Sequence, residues 1–364
     1  MNEIRALTAL RGIAAMAVVL QHFSATAQNH SAVIVPSLVP HGYMAVDLFF
    51  MLSGFIMAYT YAADFSARGL YAFPNFLLKR AARIVPLNTV AVLLVVLAGI
   101  AARELFSRNI IHDSHNLPYD ILCNILMLQG LGFGTNLNGP SWSISTECAA
   151  YFLFPGLLAL ILGRGRVRAL GAVAACFAVL TVIASQHPRL GLATDSIAGG
   201  LGRCLTEFVI GIGVYRLLRH RIWADWLAAD RVGFAAIMWV LTALLLRIDL
   251  MAAVGFPVLI ATLASNQGRV GRAIASPIPY FLGVISFSIY LLHNLFRPIE
   301  LEILRGLHPA PLNTLAALGL AILGAISVIP FAWLAYVAVE RPGRRWVRGI
   351  IALMEQGYKP SRIV

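Results

Sequence analysis

The sequence predicts an all-α polytopic membrane protein, and the first observation behind this prediction is its composition. Of the 364 residues, 59% are hydrophobic and 12% are charged, and the mean hydropathy is +0.80. Soluble domains are only about 45–50% apolar. Apolar segments recur along nearly the whole chain and leave no polar block long enough for a separate soluble domain. We therefore expect one integral-membrane domain over residues 1–345, followed by a short basic cytoplasmic tail over residues 346–364.

The apolar segments are the second observation, because their length and spacing predict ten transmembrane helices. In chain order they cover residues 6–23, 44–62, 84–102, 142–162, 167–186, 197–217, 231–247, 250–265, 277–296 and 312–339. An eleventh apolar segment, residues 119–137, contains three glycines and precedes the sequence NGPSW. Because glycine and proline interrupt helices, we expect this segment to be re-entrant. Irregular backbone at membrane depth needs surrounding protein or a cavity, which predicts a cavity open to the outer face near residues 119–142.

The basic residues are the third observation, and they favour ten spans over eleven. With ten, both termini are cytoplasmic and twenty of the 28 basic residues lie in cytoplasmic loops, with six outside and two, Arg11 and Arg203, inside spans. With eleven, the clusters GRGRVR and YRLLRHR would face outside, against the usual excess of Lys and Arg in cytoplasmic loops. The net charge of +12 is therefore a sign of membrane topology, and we expect no nucleic-acid partner.

Ionisable residues inside spans cost roughly 2.5–3.5 kcal/mol each and are usually functional. The predicted spans contain Arg11, His22, Asp47, Glu147, Arg203, Glu207 and His293. Arg11 and His22 are eleven residues apart, so both leave one face of the first helix and are separated by roughly 16 Å along its axis. Arg203 and Glu207 are four residues apart and most simply neutralise each other. The first span therefore carries one polar stripe.

Asp47 begins the second span at about the depth of His22, where a carboxylate can orient an imidazole. Two structural alternatives stay open. His22 can be a core histidine whose hydrogen bonds are satisfied, and Asp47 can belong to an unrelated buried ion pair. Lys79, Arg80 and Arg83 cluster at the cytoplasmic end of the third span. By default such a cluster anchors the helix or contacts lipid headgroups, but near Arg11 it would form a phosphate-binding mouth.

Two further patterns have structural interpretations. Ser143 can cap the fourth span, and Glu147 one turn later is favoured by the helix dipole. The first 27 residues imitate a secretion signal, with small residues at Ala25 and Ala27 as a cleavage site.

The four cysteines are scattered in apolar surroundings without a C-x-x-C pair, so we expect neither a metal site nor a disulfide.

Six short motifs follow one another along the chain from about residue 3 to 345: RGIAAMAVVLQH, VDLFFMLSGFIM, KRAARIVP, PSWSISTE, ISFSIYLLH and the terminal ERP. In these motifs and their order the chain resembles the acyltransferase family three membrane proteins. The family includes bacterial O-acetyltransferases of cell-surface polysaccharides. The resemblance implies importance for twelve residues: Arg11, His22, Asp47, Ser53, Arg80, Arg83, Trp142, Ser143, Glu147, Tyr290, His293 and Glu340.

The activity that the resemblance implies is transfer of a short acyl group, other than an amino-acyl group, from cytoplasmic acyl-CoA to a hydroxyl at the outer face. Acetyl-CoA is the favoured donor, used as a co-substrate without a bound cofactor. The acceptor is a surface glycan, such as an exopolysaccharide, or a lipid-linked sugar. The expected location is the bacterial cytoplasmic (inner) membrane.

We assign roles to these residues as hypotheses. His22 is the catalytic base or a covalent acyl carrier, oriented by Asp47, and Arg11, Arg80 and Arg83 hold the donor phosphates. The residues expected to bind the acceptor or support its pocket are Ser53, Trp142, Ser143, Glu147, Tyr290 and His293. Glu340 matches a motif but receives no role.

Two other functional classes stay open at the level of sequence. A transporter or flippase would use intramembrane charges and re-entrant segments as a transport pathway. An enzyme of the membrane-bound O-acyltransferase type would be centred on His293, in the sequence LLHN. The sequence also leaves open the acceptor, the choice between acetyl, succinyl and other acyl groups, and the oligomeric state.

Overall fold

The computed structural model describes residues 3–30, 41–106, 114–163, 165–186, 197–220, 224–307 and 313–357. Within these residues the chain is helical and contains no strand, which confirms the predicted all-α class. The helices are α1 (Arg5–His30), α2 (Met44–Arg68), α3 (Phe73–Phe106), α4 (Leu117–Ile125), α5 (Ser141–Leu162), α6 (Arg166–Gln186), α7 (Ile197–Arg219), α8 (Ala224–Ala228), α9 (Asp230–Leu245), α10 (Asp249–Ser265), α11 (Arg269–Ile274), α12 (Pro277–Val284), α13 (Ser286–Leu307), α14 (Thr314–Ala335) and α15 (Arg341–Gly357).

Each predicted span coincides with described helix, but the boundaries differ where charge interrupts the apolar pattern. Helix α3 begins at Phe73, well before the predicted start at residue 84. Hydropathy excluded the basic cluster before residue 84, although Lys and Arg are good helix formers. Arg80 and Arg83 therefore lie on a helix, which fixes the direction of their side chains.

The last two predicted spans are not single regular helices. Residues 277–296 form α12 and α13, which are bent by 73° against each other. The final span continues through a π-helical turn, Tyr336–Glu340, into α15. The expected domain boundary at residue 345 thus falls inside α15, and residues 358–364 of the expected tail lie outside the described residues.

Some of the helices are long and apolar enough to cross a membrane. By length and composition, five helical stretches of the described chain can cross a membrane, or six if α12 and α13 form one bent span. The five are Arg5–Ala27, Met44–Glu104, Ser141–Leu162, Val167–Gln186 and Thr314–Ile351, of which the second runs through both α2 and α3. The chain is therefore a helical membrane protein, while the count of ten spans and the cytoplasmic termini remain predictions.

The segment at residues 119–137 contains no helix long enough to cross a membrane. Helix α4 has nine residues, which is about 13 Å against a hydrocarbon core of about 30 Å. After α4 the backbone turns at Met127 (φ 55°) and at Gly132 and Gly134 (φ 92° and 70°), the left-handed region that glycine tolerates best. This irregular stretch packs on α5, because the Gly130 amide donates a hydrogen bond to the Ser145 hydroxyl (3.0 Å).

Close helix contacts set the position of the functional residues. Helix α1 packs against α12, α13, α14 and α2, and α2 packs against α7. At the α1–α12 contact, a Cβ on Gly12 would collide with the backbone of Gly283. Small residues allow this close approach, and it holds the neighbouring Arg11 at a fixed place in the bundle.

Candidate active site

A cavity lies between α1, α2, α3, α5 and α13, and we call it the arginine cavity. Seven of the twelve predicted site residues line it: Arg11, Ser53, Arg80, Arg83, Ser143, Glu147 and Tyr290. They come from five helices that are distant in sequence. The described part of residues 119–137 contributes nothing to the lining. That segment instead packs on α5, and the predicted cavity open to the outer face near residues 119–142 stays a prediction.

Positive charge dominates the arginine cavity. Arg11, Arg80, Arg83 and Glu147 are the charged residues among the described residues of its lining, so three guanidinium groups face one carboxylate. Arg80 is fixed by Tyr61, whose hydroxyl accepts a hydrogen bond from Nη2 (2.9 Å) and whose ring centre lies 5.4 Å from the guanidinium carbon. Guanidinium groups bind phosphate through paired N–H donors, so this end of the cavity is suited to a phosphorylated ligand.

Glu147 is held by two hydroxyl groups. Ser53 Oγ and Tyr151 Oη both donate hydrogen bonds to its Oε1 atom, the latter at 2.6 Å. Tyr151 is buried and lines the cavity, but the sequence argument did not select it. The available signal was its position four residues after Glu147, which places both side chains on one face of α5.

Ser143 has a different partner from the one expected. Helix α5 begins at Ser141, and its N-cap residue, Pro140, makes no side-chain cap. Ser143 therefore does not cap the helix. Its hydroxyl lies 2.7 Å from the Tyr290 hydroxyl and donates to the Pro140 carbonyl (3.0 Å). This contact joins α5 to α13 at the wall of the arginine cavity.

Two histidines lie together behind Tyr290. The rings of His22 and His293 have centroids 5.0 Å apart, and the centroid of His293 is 6.0 Å from that of Tyr290. His22 is not among the residues that line the arginine cavity, whereas Tyr290 contacts both the cavity and the histidine pair. Helix α1 thus supplies Arg11 to one place and His22 to the other.

Backbone carbonyls orient both imidazole rings. His22 Nδ1 lies 2.9 Å from the Val18 carbonyl oxygen, and His293 Nδ1 lies 2.6 Å from that of Tyr290. With the proton on Nδ1 in each neutral ring, Nε2 carries the free lone pair. His293 is fully buried, and its Nε2 makes no hydrogen bond with the described residues. Each ring therefore presents a basic nitrogen.

Asp47 does not orient His22, which corrects the predicted pairing. Its carboxylate accepts two hydrogen bonds from Arg203, at 2.7 Å from Nη2 and 3.1 Å from Nε. Both side chains are almost completely buried, with 0% and 2% exposed. The reason is the close packing of α2 on α7, where a Cβ on Gly54 would collide with the backbone of Phe208.

The same contact involves α7, where Arg203 is paired with Asp47 across helices. Glu207, one turn away, also acts electrostatically on Arg203, so the neutralisation predicted within α7 stays a prediction. The Glu207 carboxylate is buried, and neither oxygen accepts a hydrogen bond from the part of the chain that the structure describes. The Arg203 guanidinium also lies 5.8 Å from the centre of the Trp142 ring. Asp47 and Trp142 are therefore connected to each other through Arg203, outside the arginine cavity.

Glu340 lies in the π-helical turn and is fully buried. It accepts a hydrogen bond from Ser288 Oγ on α13 (2.9 Å) and is paired with Arg344 on α15. Arg344 was not selected from the sequence. Its signal was a position four residues after Glu340, two residues beyond the ERP motif.

Similarity to known proteins identifies the family of the chain. Residues 4–337 match the family model described as the acyltransferase domain. The chain is similar to "Acyltransferase MdmB" of Streptomyces mycarofaciens, with 29% identity over 318 residues that cover 80% of this chain and 78% of that protein. It is also similar to "Protein 2 in picA locus" of Rhizobium radiobacter, with 31% identity over 154 residues, 39% of this chain and 75% of that protein. No solved structure matches the chain. The chain therefore belongs to acyltransferase family three, as its motifs predicted, and is an acyltransferase.

Proposed function

We propose that this acyltransferase moves a short acyl group from acyl-CoA to a hydroxyl of a glycan or glycolipid at the outer face of the bacterial cytoplasmic membrane. The single observation that carries the proposal is the arginine cavity with the histidine pair behind its wall. It combines an excess of guanidinium groups with basic nitrogens, which are the groups that a phosphorylated thioester donor and a hydroxyl acceptor require. Acetyl-CoA is the proposed donor.

The donor occupies the arginine cavity in this proposal. Arg11, Arg80 and Arg83 bind phosphate groups of the CoA moiety by charge-assisted hydrogen bonds. Part of the pantetheine arm then lies in the cavity, and the thioester extends toward Tyr290, which lines it. The rise of roughly 16 Å between Arg11 and His22 on α1 is of the order that separates the phosphates of CoA from its sulfur.

His22 acts as a general base in the first version of the chemistry. Its Nε2 takes the proton of the acceptor hydroxyl, and the oxygen attacks the thioester carbonyl carbon. The carbon–sulfur bond breaks, and the CoA thiolate takes the proton back from the imidazolium. In the second version His22 Nε2 attacks the thioester carbonyl carbon, the carbon–sulfur bond breaks, and CoA leaves as a thiolate. The acceptor hydroxyl then attacks the acyl-imidazole carbonyl, the carbon–nitrogen bond breaks, and the hydroxyl proton passes to the thiolate. Val18 replaces Asp47 as the orienting group in both versions.

The acceptor approaches from the side of the histidine pair. Ser143, Glu147 and Tyr290 form the polar wall that the acceptor shares with the arginine cavity. Trp142, which lies beside Arg203, supplies an aromatic face of the kind on which sugar rings stack. Asp47 supports this region indirectly, since it fixes Arg203 beside the Trp142 ring. Donor and acceptor would thus meet at Tyr290 from two sides, as transfer across a membrane requires.

The two alternative classes can now be weighed. Membership of an acyltransferase family supports group transfer rather than transport. His293, on which the second alternative rested, lies beside His22, so both histidines belong to one proposed site. The printed name of the Streptomyces relative states an acyltransferase and no acceptor, and we extend only the activity to this chain.

The test uses purified full-length protein in lipid nanodiscs with radiolabelled acetyl-CoA and a membrane-glycan fraction from a strain that lacks the protein. We expect label in the glycan fraction and release of free CoA, together with a mass loss of one acyl group per modified residue in the glycans of that strain. Unlabelled glycans, with acetyl-CoA neither bound nor consumed, would overturn the proposal.

A further inference from the structure

A fourth arginine lies beside the arginine cavity without lining it. Helix α15 packs on α3, and the two helices are so close at Gly343 that a Cβ there would lie 2.8 Å from Cγ of Pro86. Arg344 follows Gly343 directly, and Arg83 precedes Pro86 by three residues, so the two guanidinium-bearing chains lie on facing helices. Arg83, Arg11 and Arg80 are all near enough to act on the charge of Arg344.

Arg344 is held in place by a short chain of hydrogen bonds. Its guanidinium is paired with Glu340, which accepts a second hydrogen bond from Ser288 Oγ (2.9 Å). Ser288 follows Ser286 and Phe287, which both line the arginine cavity. Glu340 and Ser288 are fully buried, whereas the Arg344 side chain is 25% exposed. The guanidinium is thus anchored from the cavity wall and still reaches open space.

The π-helical turn explains how Glu340 reaches Ser288. The Arg341 amide bonds to the Tyr336 carbonyl, five residues earlier, which is the π-helical pattern. Such single turns within helices occur frequently at functional sites. Without the extra residue in this turn, Glu340 would leave the helix at a different angle, so the turn directs Glu340 inward while α15 continues along α3.

The charges around the cavity remain unbalanced when Arg344 is included. Four guanidinium groups, on Arg11, Arg80, Arg83 and Arg344, face the carboxylates of Glu147 and Glu340. A guanidinium has five N–H donors, and the Arg344 side chain is 25% exposed. Donors that Glu340 does not use can therefore bind an anionic ligand that extends beyond the cavity.

We propose that Arg344 is a fourth arginine that binds the acyl-CoA substrate and that it contacts a phosphate at the nucleotide end of this molecule. Glu340 is the positioning residue that holds Arg344 there. This inference rests on the proposed function. CoA carries phosphate on its ribose as well as between nucleoside and pantetheine, so its anionic part is longer than one arginine cluster can cover. Arg11, Arg80 and Arg83 bind inside the cavity, and Arg344 binds at its flank.

The test compares ligands that differ in phosphate content on the full-length protein in nanodiscs. The variant Arg344→Gln removes the charge but retains an amide that can donate to Glu340, so the buried carboxylate is not stranded. We expect CoA to bind about ten- to a hundredfold more weakly, as for a lost charge-assisted hydrogen bond, while pantetheine, which lacks the nucleotide phosphates, binds as it does to the wild type. The KM for acetyl-CoA should rise by a similar factor with little change in kcat.

The matched control is Arg345→Gln, the next residue on α15, which is exposed and should bind CoA like the wild type. Glu340→Gln should also weaken CoA binding, but by a smaller factor. The double variant should bind CoA no more weakly than Arg344→Gln alone, because Glu340 acts through Arg344. If Arg344→Gln does not fold, Arg344→Lys, which keeps the charge without the planar fork, should show an intermediate loss for CoA and none for pantetheine.

Two outcomes separate the failure of this inference from that of the proposed function. A folded Arg344→Gln protein that binds CoA as tightly as Arg345→Gln would overturn only the role of Arg344 and would leave the proposed function in place. Wild-type protein that binds neither CoA nor acetyl-CoA would overturn the proposed function, and the role of Arg344 with it.

Discussion

Two regions of this protein contain charged side chains beside helix α2, but the charges are balanced in one region and not in the other. Between α2 and α7, Asp47 and Arg203 form a two-bond pair that is closed to solvent. In the arginine cavity, the guanidinium groups of Arg11, Arg80 and Arg83 outnumber the single lining carboxylate, Glu147, and face open space.

The balance of buried charges distinguishes structural from functional charged residues in a membrane protein. A buried pair whose hydrogen bonds are complete needs no ligand, and its energetic importance is shown when one partner is removed. Cations that converge on a cavity without enough carboxylates are stabilised by an anion that the protein does not supply. Sequence alone cannot make this distinction, since both regions contain intramembrane Arg beside acidic residues.

The largest effect is expected at the histidine pair, which neither region contains. We expect His22→Ala to lower the rate of acyl transfer by about 10²–10⁴, as for loss of a general base, and to leave acetyl-CoA binding unchanged, because His22 does not line the arginine cavity. The measurements are single-turnover transfer and equilibrium binding. His220→Ala, at an exposed histidine at the end of α7, is the control, and a fully active His22→Ala enzyme would contradict the proposed chemistry.

The closed pair should respond in stability rather than in ligand binding. Asp47→Ala leaves the Arg203 guanidinium buried without its carboxylate, and we expect a loss of about 3–5 kcal/mol in unfolding free energy. Thermal unfolding in detergent measures it. Asp47→Ala combined with Arg203→Met should recover most of the loss, because the uncompensated charge is gone. An Asp47→Ala protein of wild-type stability that has lost transfer would instead support the original role of Asp47 beside His22.

The arginine cavity should show the opposite response. Arg83→Ala is expected to weaken acetyl-CoA binding about ten- to a hundredfold with little loss of stability, because removing one cation relieves repulsion from Arg11 and Arg80. Isothermal titration gives the affinity, and Arg231→Ala, at an exposed arginine on α9, is the control. Equal binding by the two variants would remove Arg83 from the donor site.

A smaller effect is expected where the cavity is held together by hydroxyl groups. Tyr151→Phe removes the donor at 2.6 Å from Glu147 Oε1, while Ser53 still donates to the same atom. A net hydrogen bond is worth about 0.5–1.5 kcal/mol, so we expect the catalytic efficiency to fall about two- to twelvefold. Tyr59→Phe on α2 is the control. An unchanged kcat/KM would show that Ser53 alone is sufficient to hold Glu147.

The smallest effect on stability is expected at Asp230, a carboxylate outside the membrane spans. Its charge is stabilised by amide groups rather than by a guanidinium group. Asp230 accepts hydrogen bonds from the backbone amides of Val270 and Arg269 and from the Asn266 side chain, which hold the pKa of Asp230 below its usual value of 3.8. A carboxyl group with a lower pKa in the folded state stabilises the fold above the unfolded pKa and loses this contribution as the pH falls through the folded pKa.

Asp230→Asn should therefore lower the melting temperature at pH 6, and its difference from the wild type should shrink below about pH 4. Asp225→Asn, at an exposed aspartate on α8, serves as the control at each pH. A difference between Asp230→Asn and the wild type that is the same at pH 6 and pH 3 would contradict the hydrogen-bond explanation.

Much of the fold could be predicted because hydropathy is a local property. Every predicted span coincides with described helix, and the glycine-rich segment at 119–137 lacks a spanning helix, as its composition indicated. The helical period also placed Arg11 and His22 on one face of α1. Errors occurred where local signals conflict, as at the start of α3, where charge hid a helix, and at Val284–Ser286, where α12 and α13 bend.

The candidate site was harder to predict, because its residues are partners across helices. The residue types follow from the sequence alone: which helices carry arginine, histidine or acid at membrane depth, and which motifs mark the family. The pairings depend on the tertiary structure: Asp47 with Arg203, His22 with His293, Ser53 with Glu147, and Arg344 beside the arginine cavity. Helical periodicity fixes the face of a single helix, whereas the contact between two helices depends on where small residues allow close approach, as at Gly54 on α2 and Gly211 on α7. That approach is a property of two surfaces together, and it brought Asp47 to Arg203 instead of to His22.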